Sequence, residues 1–221
     1  MKLLDCTYNP EVEMILNDIQ KLVYRNTDTI FAHGKKDEND FYTEEKYLSI
    51  MLDKDERKEH EGYPEVTYGT SLVTRKMISY DNQEFKYNMS EELYDNCVNQ
   101  MSDLCKYLGA RNNAVMMYYP ENGFMGWHHN ANASGYNILL SYSLDGDGFF
   151  RYRDPITHEI VTIPDKEGWT IKVGYYGSFE ETDKVYWHCA RTKKPRLTLG
   201  FIVPDESMWQ MMIEDICDYD Q

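Results

Sequence analysis

The chain has 221 residues, 42% of them hydrophobic and 14% aromatic, enough to bury a core and too many for wholesale disorder, so one domain spanning 1–221 is expected. Lys and Arg number 23 against 38 Asp and Glu, and the net charge of −15 disfavours non-specific binding to a phosphate backbone. No apolar run approaches the roughly 18 residues that span a bilayer, and the N-terminal residues lack a signal-peptide stretch, so a soluble, cytoplasmic protein is expected.

Asn9-Pro10 supplies an N-cap followed by a proline suited to the first helical position. Val12, Ile15, Leu16, Ile19, Leu22 and Val23 then recur at helical spacing, which predicts an amphipathic helix over 10–24. A polar stretch from His33 to about Glu61 contains one short helix, with Thr43 as its cap and Tyr47, Leu48, Ile50 and Met51 as its apolar face. Its charged end, Asp53 to Glu61, reads as a solvated helix end or loop. A second strong helix opens at Ser90, carries Leu93, Cys97, Val98, Met101, Leu104, Cys105 and Leu108 on one face, and stops at Gly109. Cys97 and Cys105 are thereby core residues. The five cysteines are odd in number and none forms a Cys-x-x-Cys pair, so neither paired disulfides nor a zinc knuckle is expected, which fits a reducing cytoplasm.

After Gly109 the period changes. Runs rich in Val, Ile, Tyr, Phe and Thr predict eight strands: 114–119, 124–129, 136–144, 149–152, 159–163, 169–174, 185–189 and 196–203. Turn signals such as Pro120-Glu121-Asn122-Gly123, Asp145-Gly146-Asp147-Gly148 and Pro164-Asp165 separate them. Eight such strands point to a two-sheet sandwich or jelly roll. A last helix is expected from about Asp205 to Ile216. The expected organisation is α+β: helical support over 1–109, a jelly-roll core over 110–204 and a C-terminal helix within 205–221.

The chemistry-bearing residues fall in the β region. Side chains two apart on a strand share a face, so His128 and Asn130 can converge on one point while His129 points away. With His188 from a distant strand they would form a facial triad of a kind suited to Fe(II). On spacing alone, the reading of histidines beside Trp127 and Trp187 as hydrogen-bonded core residues stands slightly ahead of the metal reading. His33, His60 and His158 read as surface residues, and Arg191, Lys193 and Lys194 as a small solvated basic loop.

Three segments resemble the 2-oxoglutarate/Fe(II)-dependent oxygenases, nearest to the AlkB-like and prolyl-hydroxylase-like branches. Met117-Tyr118-Tyr119-Pro120 … Gly126-Trp127-His128-His129-Asn130 is similar to the family's Tyr-x-Pro … His-x-Asp segment. Ile138 to Leu144 and Phe149 to Tyr152 resemble the strand pair that follows it. Trp187-His188 … Pro195-Arg196-Leu197-Thr198 resembles the distal His and the Arg-x-Ser/Thr strand. The resemblance implies a double-stranded β-helix (jelly roll), with Fe(II) held by His128, Asn130 and His188. It implies that 2-oxoglutarate is held by Arg196 through a bidentate salt bridge, by Thr198 and by the Tyr119 hydroxyl. The implied reaction decarboxylates 2-oxoglutarate to succinate and hydroxylates a C–H bond. AlkB-like relatives act on nucleic acids, but the net charge of −15 makes a small-molecule or peptide substrate the expectation rather than a polymeric nucleic acid.

Asn130 departs from the pattern, because the family places a carboxylate there. A neutral amide oxygen binds a cation more weakly and leaves one more positive charge uncompensated. Three readings stay open: Asn130 ligates with lower affinity, another group such as a halide fills the position, or the site is degenerate and the chain is a jelly-roll binding protein with an acidic surface.

Overall fold

The computed structural model describes residues 1–34, 36, 37, 39–80, 84–203 and 205–217. Pro204, where the β region was expected to end, and 218–221 at the C-terminus lie outside them. The first half contains β1 (Lys2–Leu4), α1 (Pro10–Tyr24), β2 (His33–Gly34), α2 (Glu45–Glu56), β3 (Thr67–Ser71), a hairpin of β4 (Met77–Tyr80) and β5 (Glu84–Tyr87), and α3 (Glu91–Tyr107). Then come β6 (Asn112–Tyr119), β7 (Phe124–His128), β8 (Gly135–Ser143), β9 (Gly148–Arg153), β10 (Ile160–Pro164), β11 (Gly168–Tyr176), β12 (Trp187–Thr192), β13 (Arg196–Val203) and α4 (Glu206–Ile216).

The helices begin where side chains satisfy free backbone N–H groups. The Asn9 side chain accepts from Glu11 N with Pro10 in the first turn, Ser90 accepts from Leu93 N, and Asp205 accepts from Met208 N. Thr43 does not cap α2: its hydroxyl donates to Asp40 O, and Glu44 occupies the cap position without a side-chain bond.

Eleven strands form one nearly closed antiparallel sheet in the order β1-β11-β8-β13-β6-β3-β7-β12-β9-β10, with β2 paired to β3. β3 makes the corner: Thr70 and Ser71 pair with β6, while Thr67 and Tyr68 pair with β7. Alternation along the strands then sorts the side chains. On β6, β8, β11 and β13, one face carries Met116, Tyr118, Ile138, Leu140, Ile171, Val173, Leu197, Leu199, Phe201 and Val203. These pack with Val12, Leu16, Ile19 and Val23 of α1 and with Leu93, Cys97, Met101 and Leu104 of α3. Trp127, Trp187 and Cys189 on β7 and β12 form a second cluster with Tyr47, Leu48 and Met51 of α2. The residues between those positions face the inside of the sheet, and there the site lies.

Three expectations need correction. Cys6 and Cys217 are joined in a disulfide across 211 residues, beside an Asn9 N–H to Ile216 O bond of 2.7 Å that brings the two chain ends together. A count of cysteines carries no information about which ends meet in space. His60 is buried, its ring stacked on Trp187 at 5.0 Å and edge-on to His129 at 4.8 Å. Arg191 is no solvated loop residue: it is buried on β12, and its Nη2 donates to Asp37 O at 2.8 Å and pairs with Asp40 Oδ1 at 2.5 Å. No helix among the described residues is long and apolar enough to cross a membrane.

Candidate active site

His128 and His188 stand directly opposite each other in the β7–β12 register, so both imidazoles enter the inside of the sheet, with ring centroids 4.2 Å apart. Their outer nitrogens are committed alike. His128 Nδ1 bonds Gly126 O at 2.8 Å and His188 Nδ1 bonds Tyr186 O at 2.9 Å. A carbonyl can only accept, so each Nδ1 carries the proton and each Nε2 keeps a free lone pair. Burial and the neighbouring His188 hold His128 well below the usual histidine range, and burial pushes His188 down to about 4. Both rings are neutral at pH 7, the state a metal ligand needs.

Asn130 completes the group at one edge, its Nδ2 lying 3.5 Å from His188 Nε2. That separation exceeds a normal N–H hydrogen bond, and an amide's nitrogen and oxygen exchange places by a half-turn of the side chain. With the oxygen turned inward, the side chain would bring an amide oxygen to the same cavity as the two imidazole lone pairs. This donor set fits a divalent transition metal, with one charge fewer than two imidazoles and a carboxylate would give. No third His, Cys, Asp or Glu joins the pair among the described residues.

The same cavity, of about 330 Å³, is lined by Tyr119, His128, Asn130, His188, Arg196 and Thr198, so all six expected site residues share one compartment. Arg196 pairs across the ladder with Tyr119 on β6 and Ser143 on β8. Its guanidinium is buried and already holds a bidentate carboxylate: Nε donates to Asp165 Oδ2 at 2.7 Å and Nη2 to Asp165 Oδ1 at 3.3 Å. Nη2 also donates to Ser141 Oγ at 3.0 Å, and Nη1 to Thr198 Oγ1 at 2.7 Å. Of five N–H groups, one on Nη1 has no partner among the described residues and is left for a ligand. The Thr198 hydroxyl, accepting from Arg196, still has its own proton to donate. Among the described residues Tyr119 OH meets only Met125 Sδ, at 3.8 Å, and burial pushes this phenol up to about 12, so it too is a donor at neutral pH.

Sequence reasoning missed Asp165 and Lys172. Lys172 Nζ donates to Thr170 Oγ1 at 3.2 Å and lies 3.5 Å from Asp165 Oδ1, with its side chain fully buried. The available signal was a lysine alternating with Ile171 and Val173 in a predicted strand, on the face that the two apolar residues do not use. His129 points away from the cavity, as the alternation requires, and bonds Asp55 Oδ1 at 3.2 Å.

The far end of the cavity is different in kind. From Arg196 to Ile202 the strand runs about 20 Å, at roughly 3.3 Å per residue. Beside Ile202 the lining residues are Asn112 and Asn113 on β6 and Asn137 on β8, none of them charged.

No family model matches the chain, and no curated protein does. Among solved structures, a 2OG-Fe(II) oxygenase family oxidoreductase from Burkholderia pseudomallei is similar at a TM-score of 0.40 and 14% identity, over 85% of this chain and 77% of that one. A Pseudomonas putida prolyl-4-hydroxylase gives 0.34 and 13%, over 86% and 100%. A Drosophila melanogaster CENP-C cupin domain gives 0.28 and 10%, over 72% and 98%.

Proposed function

We propose that this chain is an Fe(II)- and 2-oxoglutarate-dependent oxygenase whose nearly closed sheet is a double-stranded β-helix. The observation that carries the reading is the convergence, in one cavity, of two proton-fixed imidazoles with an amide beside them and a buried arginine with two hydroxyl donors. His128, His188 and Asn130 would hold the iron. Bound there, iron with 2-oxoglutarate supplies the oxidising chemistry that decarboxylates the co-substrate to succinate and hydroxylates a C–H bond.

The protein's own contributions follow from its side chains. The free Nη1–H of Arg196 and the hydroxyls of Thr198 and Tyr119 hold the distal carboxylate, so the guanidinium meets it end-on while Asp165 keeps the bidentate edge. The imidazoles stay neutral because carbonyls hold their Nδ1 protons. Phe150, Tyr176 and Leu139 line the cavity with apolar and aromatic surface. The uncharged amide-lined end suits a neutral, hydrogen-bonding group of a small molecule or peptide better than a phosphate backbone.

The test is succinate formation from 2-oxoglutarate in air with added Fe(II), without any substrate. The proposal expects slow uncoupled turnover in the wild type and none in His188→Ala. A wild type no faster than His188→Ala would instead favour a non-catalytic binding protein.

A further inference from the structure

The geometry points to Asp165 and Lys172 as the residues that set the orientation and the charge of the carboxylate end of the cavity: Asp165 locks Arg196 by its Nε edge, and Lys172 leaves the buried cluster one positive charge in excess, to be balanced by the anion that binds. This inference rests on the proposed function and adds two positioning residues that do not themselves line the cavity.

The cluster holds Arg196, Lys172 and Asp165, with side chains 1%, 0% and 0% exposed. Asp165 is the only carboxylate within salt-bridge reach of either cation among the described residues. Its Oδ1 is shared, 3.3 Å from Arg196 Nη2 and 3.5 Å from Lys172 Nζ, while Oδ2 takes Arg196 Nε at 2.7 Å. The other groups around the cluster, Ser141, Thr170, Thr198 and Tyr119, are neutral. Two cations against one anion leave a net charge of +1 on side chains that are almost wholly buried, an arrangement that is costly unless a counter-charge arrives. Burial, and next the Arg196 charge, pull Lys172 down to about 8, which leaves it mostly protonated at pH 7. Arg196 alone of the three reaches the cavity, through its remaining Nη1–H. A carboxylate bound there restores neutrality; a neutral group of the same shape does not.

Two consequences have opposite signs. Removing the Lys172 charge should relieve the empty protein and weaken the bound complex. If Lys172 were merely structural, its loss would destabilise the protein and leave binding alone. The experiment measures anaerobic binding, with Mn(II) present, of 2-oxoglutarate and of 2-oxopentanoate, which lacks the distal carboxylate, together with the melting temperature of each protein.

For Lys172→Met, which keeps the stem volume, the expected result is at least a tenfold loss of 2-oxoglutarate affinity. Binding of 2-oxopentanoate should not change, and the ligand-free melting temperature should be equal or higher. Asp165→Asn provides the second arm: it leaves two cations with no carboxylate and takes the hold off the Nε edge of Arg196, so the ligand-free protein should melt lower. Wild-type and Lys172→Met proteins with the same preference between the two acids would overturn the inference alone. A wild type that binds neither acid would overturn the proposed function with it.

Discussion

Replacing Asn130 with Asp separates a metal ligand from a structural amide. Among the described residues the Asn130 side chain has one protein partner, His188 Nε2 at 3.5 Å, beyond the 2.7–3.2 Å of an effective N–H bond. Losing that donor should therefore cost little, and the stability of the metal-free protein should change by less than about 1 kcal/mol. The gain is electrostatic. Two unit charges 4 Å apart attract by about 4 kcal/mol at an effective dielectric near 20, and dehydrating the new carboxylate takes back part of it. A net gain of about 1.4–2.8 kcal/mol corresponds to iron affinity roughly 10- to 100-fold tighter. Anaerobic Fe(II) titration beside a urea unfolding curve reads both quantities. A destabilised Asn130→Asp protein with unchanged iron affinity would refute the triad assignment.

Arg196→Lys replaces a fork by a point charge and breaks the paired bonds to Asp165. About 1.5–3 kcal/mol of 2-oxoglutarate affinity and a comparable amount of stability should be lost, measured by calorimetric titration and urea unfolding; unchanged affinity would remove Arg196 from the site. The Cys6–Cys217 bond closes nearly the whole chain, for which chain entropy sets a ceiling of about 5 kcal/mol. Cys217→Ser should lower the urea midpoint, and equal midpoints with and without the bond would count against its contribution. Lys172 is held at about 8 in the folded state against 10.5 ordinarily, so the folded protein carries the cost of that buried charge in full below pH 8 and loses it as pH rises to 10.5. Wild type should gain stability relative to Lys172→Met across that window by up to about 3 kcal/mol, and a flat difference between pH 7 and 10.5 would contradict the burial of a charged lysine.

How much of this was legible depended on whether the signal was local. The caps at Asn9 and Ser90 and the stripes behind them mark α1 and α3 because helix entry and burial are settled within a few residues. The eight strands after Gly109 were legible from alternation and turn residues, although β12 runs Trp187–Thr192 rather than 185–189. β3 was not, because Thr67-Tyr68-Gly69-Thr70-Ser71 has no apolar face; it is a strand by virtue of pairing with both β6 and β7. In the candidate site, His128, Asn130, His188, Arg196, Thr198 and Tyr119 stood in recognisable runs. Asp165 looked like a turn residue after Pro164, and Lys172 like a lapse in a strand. Only the folded sheet brings both to Arg196. The same holds for His60 and Arg191, whose polar surroundings in sequence concealed the Trp187 ring against His60 and the Asp37 and Asp40 partners of Arg191.

The central claim, that this cavity is built for iron and 2-oxoglutarate together, is tested most directly by anaerobic equilibrium dialysis of the wild-type protein against both. One Fe(II) and one 2-oxoglutarate per chain are predicted, each tightening the other's binding and both lost in His128→Ala. Retention of neither, or binding that His128→Ala leaves intact, would contradict it.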